Sequence, residues 1–302
     1  MSTTTQSYRP TLNAGQVYLR PAGSDAPLKA IGNVSALDLE ISEEEKTLTD
    51  YTQPGGGQWA SVSRITAVSA KMTLHDLDPD NLARAVYGTT NAVTGASVSG
   101  EAHRAHPGGL IRLAHPGPSA VVLRSAAAPW SGETAIALGA YVEAGGALFA
   151  ATTAGTTGVG EPSWPGGEGE TVSDGSVTWT HRGAFAAVAG TDYEVRPEGV
   201  LILDGAIPAG CPLLIDYSHD GYDAVEALTG GGAVYELSFG GLNEANSNSP
   251  VVLDIFRLKI GAATNLSMLG AEFAALEVIG KVLLDPTKTG AGRSRYFRVQ
   301  MV

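Results

Sequence analysis

Hydrophobic and polar positions alternate over much of the chain. In Val251–Ile260, Phe256, Leu258 and Ile260 fall on one side, with Arg257 and Lys259 on the other. In Ala275–Leu284, Leu276, Val278, Val282 and Leu284 share a face, with Glu277 and Lys281 opposite. A period of two is that of a strand with one buried and one wet side, so this pair predicts the centre of an antiparallel sheet. Gly261, Thr264 and Asn265 supply a turn between them, and Asp285-Pro286 ends the second, because proline cannot donate to a ladder.

The same rhythm recurs near the start. Gln16–Arg20 is a short strand, and Asn33–Ile41 turns Leu37, Leu39 and Ile41 to a core and Asp38 and Glu40 to water. Ser61–Leu77 is a long strand with Val62, Val68, Met72 and Leu74 on one face. Between these two, Glu43, Glu44, Glu45 and Lys46 run into Pro54-Gly55-Gly56-Gly57 with no core periodicity, which predicts a long mobile loop carrying Tyr51 and Trp59. Asp78-Pro79 before Leu82 and Val86, with Gly88 behind, predicts one short helix with an apolar stripe at Leu82 and Val86. Ser2 to about Pro10 is polar and reads as a loose arm.

From 127 to 183 the pattern changes. Trp130, Trp164 and Trp179 cluster there with Tyr141 and Phe149, and Arg182 alone faces Glu133, Glu143, Glu161, Glu168, Glu170 and Asp174. The segment is too long for a loop and reads as an inserted module of short strands, whose tryptophans are first of all its core. Strands resume at Thr191–Val195, Gly199–Leu203, Cys211–Tyr217 and Val234–Phe239, and Arg295–Met301 closes the chain. The domains expected are therefore 1–126 and 184–302 as two parts of one β domain, interrupted by 127–183.

Composition sharpens this. With Gly 39, Pro 16 and only 17% charged residues among 302, the chain reads as mainly β with many turns. The formal charge of −12 disfavours ordinary nucleic-acid binding, since the surface repels phosphate. The single cysteine, Cys211, excludes an intrachain disulfide and fits a reducing compartment. No signal peptide is expected, because Met1 to Ser7 shows no basic segment followed by an apolar one, and no membrane span, because charges such as Glu272, Glu277 and Lys281 interrupt the most apolar stretches.

Chemistry has few footholds. There is no Gly-x-Ser-x-Gly elbow, and Gly55–Gly57 and Gly230–Gly232 lack the lysine and following helix of a phosphate cradle. His103, His106 and His115 lie among prolines and glycines, with Ala-His-Pro-Gly at 105–108 and 114–117, and read as turn residues rather than metal ligands. No catalytic residue, metal or cofactor is expected.

The strand, charged Gly-rich tip and strand of Val34–Leu77, the Asp78-Pro79-Asp80-Asn81-Leu82-Ala83 helix and the closing pair Val251–Ile260 and Ala275–Leu284 together resemble the major tail tube proteins of long-tailed bacteriophages. The segment with Pro129-Trp130, Ala140-Tyr141, Glu161-Pro162-Ser163-Trp164 and Asp174-Gly175 through Trp179 resembles small carbohydrate-binding-like modules embedded in phage virion proteins. The resemblance implies a β-sandwich of two sheets with a flanking α-helix, six subunits per ring, and rings stacked into a tail tube that conducts double-stranded DNA into the host cell. It implies a structural virion protein assembled in the host cytoplasm, with itself, a tape measure, a tail terminator and a distal tail protein as partners.

On that reading Asp38, Glu40, Glu277 and Lys281 face the lumen, and Glu43, Glu44, Glu45, Tyr51 and Trp59 contact the next ring. The alternative is a tail-surface adhesin binding host glycans through Trp130, Tyr141, Trp164 and Trp179. An enzyme is the third possibility.

Overall fold

The computed structural model describes residues 10–205, 207–271 and 273–302. The loose arm expected over Ser2 to Pro10 lies, but for Pro10, outside the described residues. The protein is mainly β, with one helix among the described residues, and contacts divide it into two compact units. The first joins Met1–Asn91 to Asp223–Val302, and the second is Ala92–Tyr222. This division is wider than the 127–183 segment that composition had marked. No helix among the described residues is long and apolar enough to cross a membrane.

The first unit is built on one eight-stranded sheet. Its strands are β1 (Asn13–Pro21), β2 (Lys29–Ala30), β3 (Val34–Thr49), β4 (Gln58–Leu74), β5 (Val234–Asn243), β6 (Ser249–Ile260), β7 (Leu276–Val282) and β8 (Phe297–Met301). Their order is β2-β1-β5-β6-β7-β4-β3, and β8 pairs with β6. Strand β6 serves two neighbours on one side. Its first half, Val251–Ile255, pairs with β8, and Leu258–Ile260 pair with β7.

The buried face carries Val17, Leu19, Leu237, Ile255, Leu258, Ile260, Leu276, Val278, Val282, Val68, Ala70, Met72 and Leu74, joined by Ile31 and Ala85. Alternation along β7 is strict, with Leu276, Val278, Gly280 and Val282 buried between exposed Glu277, Ile279 and Lys281. Along β6 it is not. The pairing of β5 with β6 slips between Tyr235/Leu237 and Leu258/Ile255, so one residue of β5 faces two of β6. Such a bulge shifts the phase of the alternation by one. The buried side of β6 is therefore Val251, Leu253, Ile255, Leu258 and Ile260, and Phe256, expected in the core, lies off it. Leu284, also expected there, falls beyond the end of β7 and is exposed.

The helix α1 (Pro79–Ala85) begins as its sequence dictates. Asp78 caps it by accepting from the Asn81 backbone N–H at 2.8 Å, and proline stands in the first turn. The buried side is Asn81, Ala83 and Ala85, whereas the expected stripe, Leu82 and Val86, is only half-buried. The reason is polar. The two N–H groups of Asn81 Nδ2 are shared among the carbonyls of Ile31 and Asp76, each at 3.0 Å, and Asp78 Oδ2 at 2.8 Å, while its Oδ1 accepts from Arg84 at 2.7 Å. One buried amide ties the helix to the chain before and after β3–β4.

The second unit holds two three-stranded sheets and the Trp-rich strands. Strands Tyr193–Arg196, Gly199–Ile202 and Leu110–Arg112 form one sheet, and Ala96–Arg104, Pro212–His219 and Ser119–Ser125 the other. The strands 193–219, grouped from sequence with the later β domain, thus pair inside this unit. Cys211 is fully buried in its core, and burial pushes the thiol up to about 11, so it stays protonated at neutral pH.

Asn81→Ala removes a buried amide that serves four partners and leaves two backbone carbonyls without their donor. We expect a loss of about 2–4 kcal/mol in unfolding free energy, measured by urea titration of the far-ultraviolet circular dichroism. A change under about 0.5 kcal/mol, that of an ordinary surface substitution, contradicts this role.

Candidate functional site

The feature that stands out from the first unit is the outer half of the β3–β4 hairpin. The two strands pair from Val34–Leu74 to Thr49–Gln58, so the segment expected as a long mobile loop, Glu43 to Trp59, is a ladder except for the turn 50–57. The next strand, β7, pairs only with Ser69–Leu74. Beyond Val68 the hairpin has no third strand among the described residues, and every residue from Ile41 to Thr49 and from Gln58 to Ala67 is exposed. Ile41, expected in the core, is among them.

Its turn is held locally. Asp50 Oδ1 accepts from both the backbone N–H and hydroxyl of Thr52, at 2.7 and 2.6 Å, and these bonds hold the Asp50 carboxyl below its ordinary range. Gly55 and Gly56 take φ of 100° and 65°, which a side chain would resist. Glu43, Glu44, Glu45, Tyr51 and Trp59 all belong to this arm and are exposed, Tyr51 at 85% and Trp59 at 63%. Ile41, Leu48, Val62 and Ile65 add further apolar surface that nothing in the unit covers.

Asp38, Glu40, Glu277 and Lys281 are exposed and share the wet face of three adjacent strands. The register sets Asp38 beside Lys71 and Lys71 beside Ile279, and it sets Glu40 beside Ser69, Ser69 beside Lys281 and Lys281 beside Lys259. Lys71 Nζ also lies 3.3 Å from Glu277 Oε2. Three carboxylates and three ammonium groups share this patch: Asp38 and Glu277 both adjoin Lys71, a pairing that cross-strand contact favours, whereas Lys281 stands directly opposite Lys259, a like-charge pair that it does not. An exposed pair of this kind contributes about 0–1 kcal/mol, so its main effect is on the local field.

The Trp-rich strands form a five-stranded sheet, from Thr171–Asp174 through Val177–His181, Ala147–Thr153 and Tyr141–Ala144 to Ala128–Pro129, with its own core of Val142, Phe149, Val177 and Trp179. Buried Asp174 organises it. Its Oδ2 accepts from Trp130 Nε1 at 2.8 Å and Trp179 Nε1 at 3.0 Å, and its Oδ1 accepts from the Gly158 backbone at 2.6 Å. Gly175, with φ 60°, then starts the tight turn into the next strand.

Of the four residues expected to meet glycan, Trp179 is fully buried and no sugar ring can stack on it. Tyr141 packs toward the neighbouring core, and its hydroxyl donates to the Ala209 carbonyl at 2.8 Å. Trp164 lies 4.3 Å from the Phe149 ring and donates to Glu161 at 2.7 Å. Trp130 is half-buried and bound to Asp174. The four do not make a stacking platform.

The histidines part company. His106 is exposed in a turn, whereas His103 lies on a strand, with Nε2 2.8 Å from Glu101 Oε1. His115 stacks on His219, which sequence reasoning had not singled out, with centroids 4.0 Å apart. Burial opposes the charge on Glu101, but hydrogen bonds from Tyr217, His103 and the Ala114 backbone outweigh it and lower its pKa. The Tyr217 hydroxyl, buried and donating to Glu101 at 2.6 Å, is pushed up to about 12. These contacts tie Ala114 and His115, just past the strand Leu110–Arg112, to the sheet of Ala96–Arg104 and Pro212–His219.

Residues 10–162 and 169–300 match the family described as "Protein of unknown function UCP028589", and the chain belongs to that family. No curated protein matches the chain.

Asp174→Asn tests the organisation of the Trp-rich sheet. The amide offers one acceptor where two were used, and turns a donor toward either the indole N–H groups or the Gly158 N–H. A loss of about 3 kcal/mol is expected, with a red shift of tryptophan emission marking the opened core. Unchanged emission and melting would show that the carboxylate is not what holds the indoles.

Proposed function

We propose that this member of the family is a structural subunit that assembles with copies of itself, and specifically a phage tail tube protein whose rings of six stack into a conduit for DNA. The observation that carries the reading is the arm. A strand pair that leaves its sheet, keeps its ladder and exposes apolar side chains on both strands has no use for them within its own unit. The sheet also ends in β3, whose outer edge has no neighbouring strand among the described residues. Unpaired edges invite another strand, and a ring in which each sheet pairs with the next removes them.

The mixed charges suit a wall past which DNA slides. Asp38, Glu40 and Glu277 cancel Lys71, Lys259 and Lys281 in formal charge, so these six groups offer phosphate no net attraction, although Lys281 and Lys259 stand side by side. The acidic groups of the arm, Glu43 to Glu45, lie beyond this patch. The Trp-rich sheet, whose indoles are engaged in its own core, fits a decorative or structural part better than an adhesin.

The test is assembly itself. Sedimentation velocity and negative-stain electron microscopy at rising protein concentration should show annular particles and then tubes. A variant in which Ser42 is joined to Ala67 through Asn-Gly, closing the hairpin where the supported sheet ends, should fold with unchanged melting and remain monomeric. A full chain that stays monomeric throughout, or a shortened one that assembles equally well, contradicts the proposal.

A further inference from the structure

The first unit exposes a second apolar feature, at the other end of the same strands. The connection between β6 and β7 carries Met268, Leu269 and Phe273 at 76%, 94% and 96% exposure. It enters β7 at Leu276, which pairs with Leu74, and Leu74 pairs with Val34. This loop therefore stands at the base of the β3–β4 hairpin, where β3 begins and β4 ends. From that base to the Thr49–Gln58 pair the strands run roughly 50 Å at about 3.3 Å per residue. Between the loop and the base lies an open recess of about 980 Å³, with Phe273 and Ala271 on one side and Asn33, Ser35, His75 and Asp76 on the other. The polar side is ordered by its own bonds, His75 Nε2 to Ser35 at 2.9 Å and the Asn33 N–H to Asp76 at 2.8 Å.

We infer that this recess receives the hairpin tip of a second copy of the chain, head to tail, with Tyr51 and Trp59 against Phe273. The inference rests on the reading of the chain as a self-assembling subunit, and it names the surface that the arm engages. Geometry excludes the intramolecular alternative, because tip and recess sit roughly 50 Å apart at opposite ends of the same two strands. Area favours a whole protein surface as partner. Tyr51 and Trp59 at the tip alone expose on the order of 400 Å², about half of the ~800 Å² that each side of a standard interface buries, and Val62 and Ile65, on opposite faces of the arm, are left for contacts along its flanks. A contact between two different patches of one chain is heterologous and propagates, so repetition yields a closed ring or an open stack.

The test is site-directed crosslinking in the full chain with a short bis-maleimide. Cys211 is fully buried and stays in place, with the unsubstituted chain as control. Gln53→Cys marks the tip and Ala271→Cys marks the recess, and both positions are exposed. A mixture of the two single variants should give a crosslinked dimer, a chain with both cysteines a ladder, and either single variant alone neither. Phe273→Ser, at a side chain too exposed to affect folding, should lower the yield roughly tenfold at limiting concentration, the effect of losing one buried aromatic. Assembled particles without the tip-to-recess product, or a dimer from the Gln53→Cys variant alone, overturn this docking mode and leave the proposed function standing. No assembly by light scattering in the same samples overturns both.

Discussion

The length of the β3–β4 pair relative to the sheet that supports it constrains everything else in the first unit. Up to Val68 the hairpin is clamped between β7 and the core, with Ala70, Met72 and Leu74 buried. Past that point the only stabilisation is the ladder between two strands and their cross-strand side chains, and an isolated two-stranded hairpin is marginal in water. A folded extension of this length is stable alone only weakly. Burying its apolar side chains against another surface would contribute at about 25 cal/mol per Å². The arm is thus the part of the chain that the proposed association would stabilise most.

The rest of the unit can be read as anchorage. Asn81 fastens the helix to Ile31 and Asp76 on either side of the hairpin base, and Gly280 lets β7 approach β6 so closely that a Cβ there would meet Leu258 at 2.6 Å. A rigid base lets a long lever keep its direction. On the wet face of the same strands three carboxylates and three ammonium groups cancel in formal charge, so it adds no strong net field. The second unit keeps its own cores, and its most distinctive side chains, the tryptophans, are held by one buried carboxylate rather than presented.

How much of this was legible depended on whether burial was one-sided. In β7 and the first part of β3 one face is buried, so alternation in Leu276, Val278 and Val282 and in Leu37 and Leu39 was visible. In Glu43–Thr49 neither face is buried, so no alternation exists to be read, and strand was mistaken for loop. At Phe256 and Arg257 a bulge moves the phase, which depends on how β5 pairs and leaves no local mark. The helix start was plain because Asp78-Pro79 acts locally, but its buried side was set by Asn81 reaching carbonyls elsewhere in the chain. The indoles could be placed in a module, yet which were buried depended on Asp174, far from Trp130 in sequence. Nothing in sequence marked the recess, since it is made by the β6–β7 loop lying near His75 and Asp76.

Hydrogen exchange by mass spectrometry, on the isolated subunit and on assembled protein, tests the central claim most directly. Peptides spanning 41–49 and 58–67 should exchange quickly in the isolated subunit, although their amides are paired, because little buried surface opposes opening. On assembly they should become strongly protected, while 68–74, clamped by β7 and the core, should be slow in both states. Equal exchange of the arm before and after assembly would contradict the account, because it would mean that the unsupported half of the hairpin gains nothing from a neighbour.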